Sequence, residues 1–285
     1  MEIGIGLPGH VPGVDGRTLV EWARRAEARG FSTLSVSDRL VWSTPEPLTA
    51  LAAAAGATER IKLLTTVLIA PLHSNHALFA KQTASIDQLA GAGRLHLGLA
   101  PGLRDDDFTE SGVDFSTRGK QFDALLDRAA EVWGGGTGIG PAPATEGGPK
   151  VLFGGMSPAA IRRVVTKGVG WIAGDATVAD VEGFAPGLRE AWTAGGREGE
   201  PRIVASTMYA LGPNGRQAVE KAISSYYAFG GSEYVDYGID IAHTTPESIA
   251  AAVTDFEKVG VHELLFMGND PDPAQVDLLA DALGR

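Results

Sequence analysis

Cysteine is absent from the 285 residues of this chain. The chain therefore has no disulfide framework, no thiolate nucleophile and no cysteine-ligated metal. Long apolar runs are also missing, since no stretch approaches the roughly 20 residues that a membrane-spanning helix needs. The amino terminus reads Met-Glu-Ile-Gly, without a basic and apolar leader. These absences predict a soluble, cytoplasmic protein with no membrane partner.

Positive charge is scarce as well. The chain has 24 Lys and Arg against 35 Asp and Glu, which gives a formal net charge of -11. Nucleic acids and anionic membranes would be repelled at long range by such a chain. The composition therefore excludes nucleic acid as a partner and favours a small-molecule substrate.

What the chain does contain is a repeated alternation of buried strands and helices. The clearest unit is the strand Ile61–Ala70, the helix His76–Ala90 and the strand Arg94–Ala100. The first strand is rich in Leu, Ile, Val and Thr and barely alternates, which is typical of a parallel strand buried on both faces. The apolar stripe of the helix comprises Phe79, Ile86, Leu89 and Ala90.

Eight such strands recur along the chain. They are Ile3–Leu7, Ser32–Ser37, Ile61–Ala70, Arg94–Ala100, Lys150–Phe153, Val169–Ala173, Arg202–Leu211 and His262–Met267. Eight strands with intervening helices in a chain of this length predict a (β/α)8 TIM barrel with parallel strands and short insertions. With 44% hydrophobic residues the chain can form one large core, so we expect one domain over residues 1–285.

Four segments between these strands carry separate predictions. The cleanest helical periodicity is in Ser116–Trp133, where the apolar residues recur on one face. The polar stretch Asp105–Asp114 is predicted to be a loop. The glycine-rich stretch Gly134–Gly148 links a helix to a strand, which places it on the face opposite the active mouth. Gly230–Thr245 shows no helical stripe and is either a flap over the mouth or a surface connection.

Barrel chemistry is confined to the loops that leave the carboxyl ends of the strands. The candidate segments are Leu7–His10, Asp38 and Arg39, Thr66–Ala70, Pro101–Leu103, Gly154–Ser157, Gly174 and Asp175, Met208 and Tyr209, and Gly268–Asp270. At Pro101 and Gly102 side-chain bulk is removed, so the backbone could approach a ligand.

The most explicit of these segments is Gly154-Gly155-Met156-Ser157, which is followed by a helix that starts at Pro158. Backbone amides at a helix start can point at an anion, and the helix dipole favours a negative charge there. A phosphate site is one interpretation. The other is a tight turn in which Ser157 caps the helix.

The acid Asp38 and the base Arg39 follow the second strand directly. They are candidates for catalysis, although an ion pair between them or a helix-capping role for the acid explains them equally. His73 and His76 are spaced H-x-x-H without an acidic ligand pair, so we expect no metal site there. His73 is instead a candidate donor to the substrate.

Four segments resemble one family in the same order along the chain. They read FSTLSVSDRLVW (Phe31–Trp42), AKQTASIDQLAGAGRLHLGLAPG (Ala80–Gly102), DFSTRGKQFDALL (Asp114–Leu126) and FGGMSPAAIRRVVTKGVGWIAG (Phe153–Gly174). They resemble the luciferase-like monooxygenase superfamily, whose members include bacterial luciferase and deazaflavin-dependent dehydrogenases. The similarity covers roughly the first 60% of the chain.

This resemblance implies a cofactor and the residues that hold it. The cofactor would be FMN or coenzyme F420, with its phosphate on Gly154–Ser157 and Asp38 beside the ring. Thr66 and Val67 match a position where many relatives carry a non-proline cis peptide that backs the ring. Members with Ser-Asp-His at the second strand place the imidazole beside the flavin, whereas this chain has Arg39. Arginine stays charged near neutral pH and cannot shuttle a proton as histidine can.

The resemblance implies monooxygenation with FMN, or hydride transfer with the deazaflavin. FMN would be reduced by NAD(P)H or by a partner flavin reductase, and relatives commonly form homodimers. A non-catalytic flavin-binding barrel is the alternative, because the family offers precedents. A cofactor-free hydrolase needs paired carboxylates or a metal, and here only scattered acids follow strands, namely Asp38, Asp175 and Asp270.

Overall fold

A computed structural model describes all residues 1–285 and contains a closed barrel of parallel strands. The strands are β1 (Glu2–Gly6), β2 (Thr33–Val36), β3 (Lys62–Thr65), β4 (Leu68–Ile69), β5 (Leu95–Ala100), β6 (Lys150–Gly154), β7 (Gly170–Ala173), β8 (Arg202–Tyr209) and β9 (Glu263–Gly268). β3 and β4 both pair with β5 and share one position in the barrel. The predicted run Ile61–Ala70 is thus interrupted at Thr66 and Val67, whose peptide bond is cis, as the resemblance implies.

Eleven α-helices accompany the strands. They are α1 (Gly16–Ala28), α2 (Pro47–Ala57), α3 (His76–Ala90), α4 (Asp105–Ser111), α5 (Arg118–Trp133), α6 (Pro158–Lys167), α7 (Val178–Ala194), α8 (Gly215–Tyr226), α9 (Ser232–Asp240), α10 (Pro246–Lys258) and α11 (Ala274–Ala282). Eight of them, α1, α2, α3, α5, α6, α7, α10 and α11, each follow a strand position in the ring. The predicted (β/α)8 TIM barrel with short insertions is confirmed.

Local sequence explains where several helices begin. The Asp15 carboxylate accepts the backbone N–H groups of Arg17 and Thr18 at 2.8 and 2.9 Å and caps α1. The whole predicted apolar face of α5 is buried. In α3 the prediction was wrong at Leu89, which is 62% exposed, because the stripe continues through Thr83 and Asp87 rather than through that position.

Two predicted loops contain helices. Asp105–Asp114 begins with α4, in which three consecutive acids occupy the first turn, where the helix dipole stabilises negative charge. Gly230–Thr245 includes α9, an amphipathic helix whose buried residues are only Gly238 and Ile239. Both helices are short, and their apolar faces are too narrow to give a recognisable period in the sequence.

The longest insertion is the segment 210–244, which we call the β8–α10 insertion. α10, rather than α8, is the helix that returns to the lower end of the barrel, because Glu257 near its end contacts the amino group of Met1 at 2.8 Å. The insertion leaves the upper end of β8 and returns there, where His243 forms a bridge beside Tyr209. α8 and α9 therefore lie at the mouth.

The core has two layers. A cluster of 57 buried residues fills the space between the barrel and its helices. A second cluster fills the barrel interior with side chains from five strands, namely Leu64, Leu152, Ile172, Val204, Leu265 and Met267. The barrel is therefore solid, and a ligand can bind only above the strand ends.

The lower face carries the glycine-rich stretch 134–148, as predicted. The Thr145 N–H and hydroxyl both donate to Asp87 of α3, at 2.7 and 2.8 Å. Thr145 also accepts the N–H of Gly93 in the loop that leads into β5. These contacts attach the stretch to a loop far from the mouth. None of the helices is long and apolar enough to cross a membrane.

Candidate functional site

The carboxyl ends of the parallel strands form one rim, and the predicted residues from β2, β3 and β6 meet there. A side chain at Gly154 would bring its Cβ to 3.3 Å from Val67 Cγ1 and 3.2 Å from Ala100 Cβ. The Ser37 hydroxyl donates to the Thr66 carbonyl at 3.2 Å. The ends of β2, β3, β5 and β6 are therefore in mutual contact, and a side chain at position 154 would require its neighbours to shift by a few tenths of an ångström.

Asp38 lies beside the cis peptide. Its Oδ2 accepts the N–H of Ile69 at 2.8 Å, and its own N–H donates to the Val67 carbonyl at 3.3 Å. The same carboxylate oxygen lies 3.9 Å from Nε2 of His73. Two of the three predicted catalytic residues are thus neighbours, with Asp38 fixed by backbone hydrogen bonds and His73 free at Nε2.

The Gly154–Ser157 segment is an exposed turn into α6. Ser157 caps the helix by accepting the Ala160 N–H at 3.2 Å. Gly155 has φ +95°, and Gly155, Met156 and Ser157 are exposed at the rim. The capping interpretation is confirmed, and it leaves the start of a ten-residue helix open to solvent. The two interpretations of this segment are therefore compatible.

Pro101 and Gly102 follow β5 at the same rim. The space beside Gly102 is occupied, since an added Cβ would lie 2.6 Å from Ile69 Cγ2 and 3.0 Å from the Phe108 ring. Because Gly102 has no side chain, Ile69 at the end of β4 and Phe108 of α4 can pack against its backbone. The structure thus supplies a packing reason for Gly102 that is different from the approach of a ligand.

Arg39 does not pair with Asp38. Its Nε donates to Oδ2 of Asp107 at 2.7 Å, and its Nη2 contacts Asp106 at 3.3 Å. The Arg39 side chain is 5% exposed and that of Asp107 is 0% exposed. The expected Asp38–Arg39 ion pair is therefore wrong, because α4, which the sequence did not predict, supplies the acids.

Aromatic side chains surround Arg39 on the β1, β2 and β8 side of the mouth. The Tyr226 ring lies 4.3 Å from His10, 5.1 Å from Trp42 and 4.9 Å from Tyr227, measured between ring centroids. Arg39 Cζ lies 5.4 Å from the Tyr226 centroid. Burial lowers the pKa of His10 and raises the pKa of Tyr226. We call His10, Trp42, Tyr226 and Tyr227 the aromatic cluster.

Asp175 connects the aromatic cluster to β7. The Tyr227 hydroxyl donates to Asp175 Oδ2, and the Asp175 N–H donates to Ser206 Oγ at 3.0 Å. Burial, followed by the charge of Asp175, raises the pKa of Tyr227 well above its ordinary value. Tyr227 therefore stays protonated near neutral pH and acts as a donor. Asp175 has φ +46°, the only positive φ outside glycine.

Unpaired polar atoms are concentrated at this mouth. Nine buried side-chain nitrogen or oxygen atoms have no hydrogen-bond partner within the protein. Seven of them lie at the mouth, namely His10 Nδ1, Arg39 Nη1, Trp42 Nε1, Thr66 Oγ1, His73 Nε2, His76 Nε2 and Asn269 Oδ1. Buried polar groups are ordinarily paired, because leaving one unpaired costs about 1–3 kcal/mol. Most of the unpaired buried polar side-chain atoms of the chain therefore lie at one end of the barrel.

Several residues at the mouth were missed by the sequence analysis. His10 and Asn269 lie inside candidate segments that the strand-end rule selected, yet nothing singled them out, and Asp175 was noted only as a scattered acid. Trp42 lies in the loop after β2 and Asp107 in the short helix α4, where there is no periodic signal. Tyr226 ends α8 and Tyr227 follows it; the buried residues of α8 do recur at helical spacing, but that spacing does not indicate the mouth. Tyr209, which that rule did select, points away, since its hydroxyl donates to the Gln275 carbonyl at 3.2 Å inside the protein. No group of three or more His, Asp or Glu side chains is arranged to hold a metal ion.

Comparisons with proteins of known sequence agree with this architecture. An uncharacterized protein of Mycobacterium tuberculosis is 25% identical over 218 residues, which cover 64% of this chain and 76% of that protein. The F420-dependent glucose-6-phosphate dehydrogenase of Kribbella flavida is 30% identical over 142 residues, covering 47% of this chain and 42% of the enzyme.

Comparisons with solved structures give the same fold. The monooxygenase RslO1 from Streptomyces bottropensis superimposes with a TM-score of 0.81 at 21% identity, over 99% of this chain and 98% of that one. The coenzyme F420-dependent tetrahydromethanopterin reductase of Methanopyrus kandleri has a TM-score of 0.76 at 16% identity, over 99% and 98% of the two chains. At these identities the likeness concerns the fold alone.

The family model described as luciferase-like monooxygenase matches residues 1–258. This range includes every strand except β9 and all the residues of the mouth except Asn269. The chain belongs to the luciferase-like monooxygenase family.

Proposed function

We propose that this protein is a flavin- or deazaflavin-dependent oxidoreductase that acts on a small organic substrate at the barrel mouth. One observation carries the proposal. Asp38, the Thr66–Val67 peptide and the Gly154 turn meet on one rim, and unpaired polar atoms face that rim. The family membership and the F420-dependent enzymes among the relatives support the same reading.

The residues present fit such a cofactor. The start of α6 would hold the phosphate, because Gly155, Met156 and Ser157 are exposed there and the helix dipole favours an anion. Val67 and Gly154, which lie side by side at the rim, would form an apolar surface for the ring. Thr66 Oγ1 and His73 Nε2, both unpaired and buried, would exchange hydrogen bonds with polar atoms at its edge.

The bound cofactor supplies the redox chemistry, which is monooxygenation with molecular oxygen for FMN and hydride transfer for coenzyme F420. The relatives include both a monooxygenase and F420-dependent enzymes. The chain's own residues would bind the cofactor, orient the substrate and exclude water from the site.

Proton transfer would fall to Asp38 and His73. Their side chains lie 3.9 Å apart and are 8% and 19% exposed, so one water or a small rotation connects them. Arg39, the third candidate, has no such role in this proposal. Its guanidinium is permanently charged and is held by Asp107, so it orients neighbouring groups.

Titration of the purified protein with FMN, riboflavin and coenzyme F420, followed by fluorescence, tests the proposal. We expect one phosphorylated cofactor to bind at micromolar concentration or better. Riboflavin has the same ring as FMN without the phosphate, so weaker binding of riboflavin than of FMN would locate a phosphate site. Failure of both FMN and coenzyme F420 to bind would overturn the proposal.

A non-catalytic flavin-binding barrel is the alternative, and the pairing of Arg39 with Asp107 favours it, because a guanidinium cannot act as the proton carrier. Turnover separates the two functions. A cofactor-loaded protein that oxidises or reduces none of a panel of aldehydes, alcohols and aromatic compounds, with NADH, NADPH or a flavin reductase as the reductant, would support the binding function.

Three further expectations accompany the proposal. The protein would act in the cytoplasm, receive electrons from NAD(P)H or a flavin reductase if FMN is the cofactor, and form a homodimer. Sedimentation velocity measures the last of these directly.

A further inference from the structure

The Tyr226 ring fills a slot in the mouth that has the character of a binding site. Two rings and a guanidinium line it, since His10, Trp42 and Arg39 lie within 4.3, 5.1 and 5.4 Å of the Tyr226 ring. Tyr226 itself is 8% exposed and belongs to the last turn of α8, in the β8–α10 insertion. The slot is therefore lined by residues of the loops that follow β1 and β2, and it is filled by a residue of the β8–α10 insertion.

The polar atoms of these walls are unpaired. Arg39 Nη1, Trp42 Nε1 and His10 Nδ1 are all buried and have no hydrogen-bond partner within the protein. Arg39 and His10 are themselves more than nine-tenths buried, with the Arg39 side chain 5% exposed and His10 3% exposed. The Tyr226 hydroxyl forms no hydrogen bond with any of these atoms, so Tyr226 fills the volume of the slot and leaves its hydrogen-bonding capacity unused.

Tyr226 and Tyr227 belong to a small cluster of seven buried residues at the mouth, which is separate from the 57-residue core of the barrel. Arg104 Nη1 donates to the Tyr226 carbonyl at 3.1 Å, and its guanidinium lies 4.1 Å from the Phe229 ring. The Tyr227 hydroxyl donates to Asp175. Residues 228–237 beyond them are almost all exposed. A segment with so little buried surface opens at lower free energy than the barrel unfolds.

From these observations we infer that Tyr226 occupies the substrate slot of the free protein, and that the substrate is a planar aromatic compound bearing a carbonyl or phenol oxygen. This inference rests on the proposed function for the reaction, but the slot itself is defined by this chain's residues. The substrate ring replaces Tyr226 between His10 and Trp42. Its oxygen accepts hydrogen bonds from Trp42 Nε1 and Arg39 Nη1.

The electrostatics favour a neutral or weakly anionic acceptor. Asp107 and Asp106 already balance the charge of Arg39. A substrate without an oxygen would leave the donors unpaired, and a site built to hydrogen-bond an oxygen discriminates strongly against compounds that lack it. Aromatic stacking adds to that selection.

The test uses three probes and isothermal titration calorimetry on the protein, both as purified and saturated with whichever cofactor it binds. The probes are 7-hydroxycoumarin, which is planar with a phenol and a carbonyl oxygen, naphthalene, which is planar without acceptors, and decanal, which has a carbonyl oxygen on an aliphatic chain. We expect 7-hydroxycoumarin to bind at least tenfold more tightly than either of the others. Decanal binding as tightly as the coumarin would overturn the inference.

Two substitutions test the role of Trp42 Nε1 as a donor and the role of the Tyr226 ring as the occupant of the slot separately. Trp42→Phe keeps a ring and removes Nε1, so the affinity for the coumarin should fall five- to tenfold while that for naphthalene changes less than twofold. Trp192→Phe is the matched control, because Trp192 Nε1 donates to the Glu198 carbonyl far from the mouth. If Trp42→Phe lowered the affinities for 7-hydroxycoumarin and naphthalene equally, Trp42 Nε1 would not be a hydrogen-bond donor to the substrate.

Tyr226→Ala removes the occupant, so the affinity for the coumarin should rise several-fold, whereas Tyr237→Ala, at a residue 47% exposed on α9, should have no effect. A fall in affinity would show that Tyr226 is a wall of the site and would overturn the inference. If Tyr226→Ala fails to fold, the Trp42→Phe result decides. The cofactor titration distinguishes this inference from the proposed function. If the protein binds a cofactor but shows no preference for 7-hydroxycoumarin, only the inference is overturned. If it prefers 7-hydroxycoumarin but binds no cofactor, only the proposed function is overturned.

Discussion

Arg39 and Asp107 form a buried ion pair that joins the loop after β2 to α4. The Arg39 Nε to Asp107 Oδ2 distance is 2.7 Å, and Asp107 Oδ1 accepts the N–H of Val41 at 2.8 Å. One carboxylate thus fixes both a side chain and the backbone two residues later. This pair sets the position of the wall of the mouth to which Trp42 belongs.

Breaking this pair should destabilise the fold. Asp107→Asn leaves the Arg39 charge buried without its main partner, and such a loss typically costs about 3–5 kcal/mol. Urea denaturation measures the free energy of unfolding. Asp255→Asn, in the exposed pair with Lys258, is the control and should cost less than about 1 kcal/mol. Equal effects of the two variants would show that the Arg39–Asp107 pair contributes no more than a surface contact.

Stability should fall in mild acid because of His96 on β5. Burial, followed by the charges of Lys150 and Lys62, lowers the pKa of His96 from 6.5 to about 4. Because the unfolded state binds the proton first, the neutral form stabilises the fold fully above pH 6.5, and this contribution is lost as the pH falls towards 4. The loss amounts to roughly 3 kcal/mol.

The measurement is the difference in the free energy of unfolding between wild type and His96→Gln from pH 7 to pH 4. Other buried histidines act in the same direction, since burial also lowers the pKa of His10 and His243. Only the difference isolates His96. Parallel curves for the two proteins would contradict the assignment.

Gly155 provides a test of the cofactor loop with a matched control. Its φ of +95° is strained for any other residue, and Gly91, on the lower face, has φ +88°. Substitution by alanine should cost each variant about 1–2 kcal/mol of stability. Only Gly155→Ala should also weaken binding of FMN or coenzyme F420, about tenfold or more. Equal cofactor affinity in the two variants would argue against a phosphate site at this turn.

Tyr227→Phe should loosen the β8–α10 insertion. The substitution removes the hydroxyl that donates to Asp175, and leaves a buried acceptor without that partner, at a cost of about 1–3 kcal/mol. Amide hydrogen exchange in α9 should become faster while exchange in the barrel strands changes little. Tyr237→Phe is the control, since the Tyr237 side chain is exposed and makes no such bond. Unchanged exchange in α9 would show that other contacts hold the insertion.

The sequence predicted the barrel well because strands and helices of a barrel are periodic. The whole apolar face of α5 could be read from its spacing, and the rule for strand ends selected Asp38, Thr66, Val67 and Gly154, which do meet. Position along a parallel strand fixes the end of the barrel at which a residue lies, whatever its neighbours are.

The insertions could not be predicted in this way. α4 and α9 are short, and the contacts that matter at the mouth join residues far apart, such as Arg39 with Asp107 of α4 and His10 with Tyr226 of α8. No local pattern encodes such pairs. The sequence offered the neighbouring Asp38 as an alternative ion-pair partner of Arg39, but Asp38 instead accepts the N–H of Ile69.

The amino-acid sequence by itself determined the barrel and the rim that carries Asp38 and Gly154, because periodic burial and strand order act through near neighbours in the chain. The family followed from the resemblance of four segments. Only the tertiary structure decided that Arg39 is neutralised by Asp107 and that Tyr226 fills the slot between His10 and Trp42. These contacts depend on the path of insertions above the barrel, and that path is set by packing between segments that are distant in sequence.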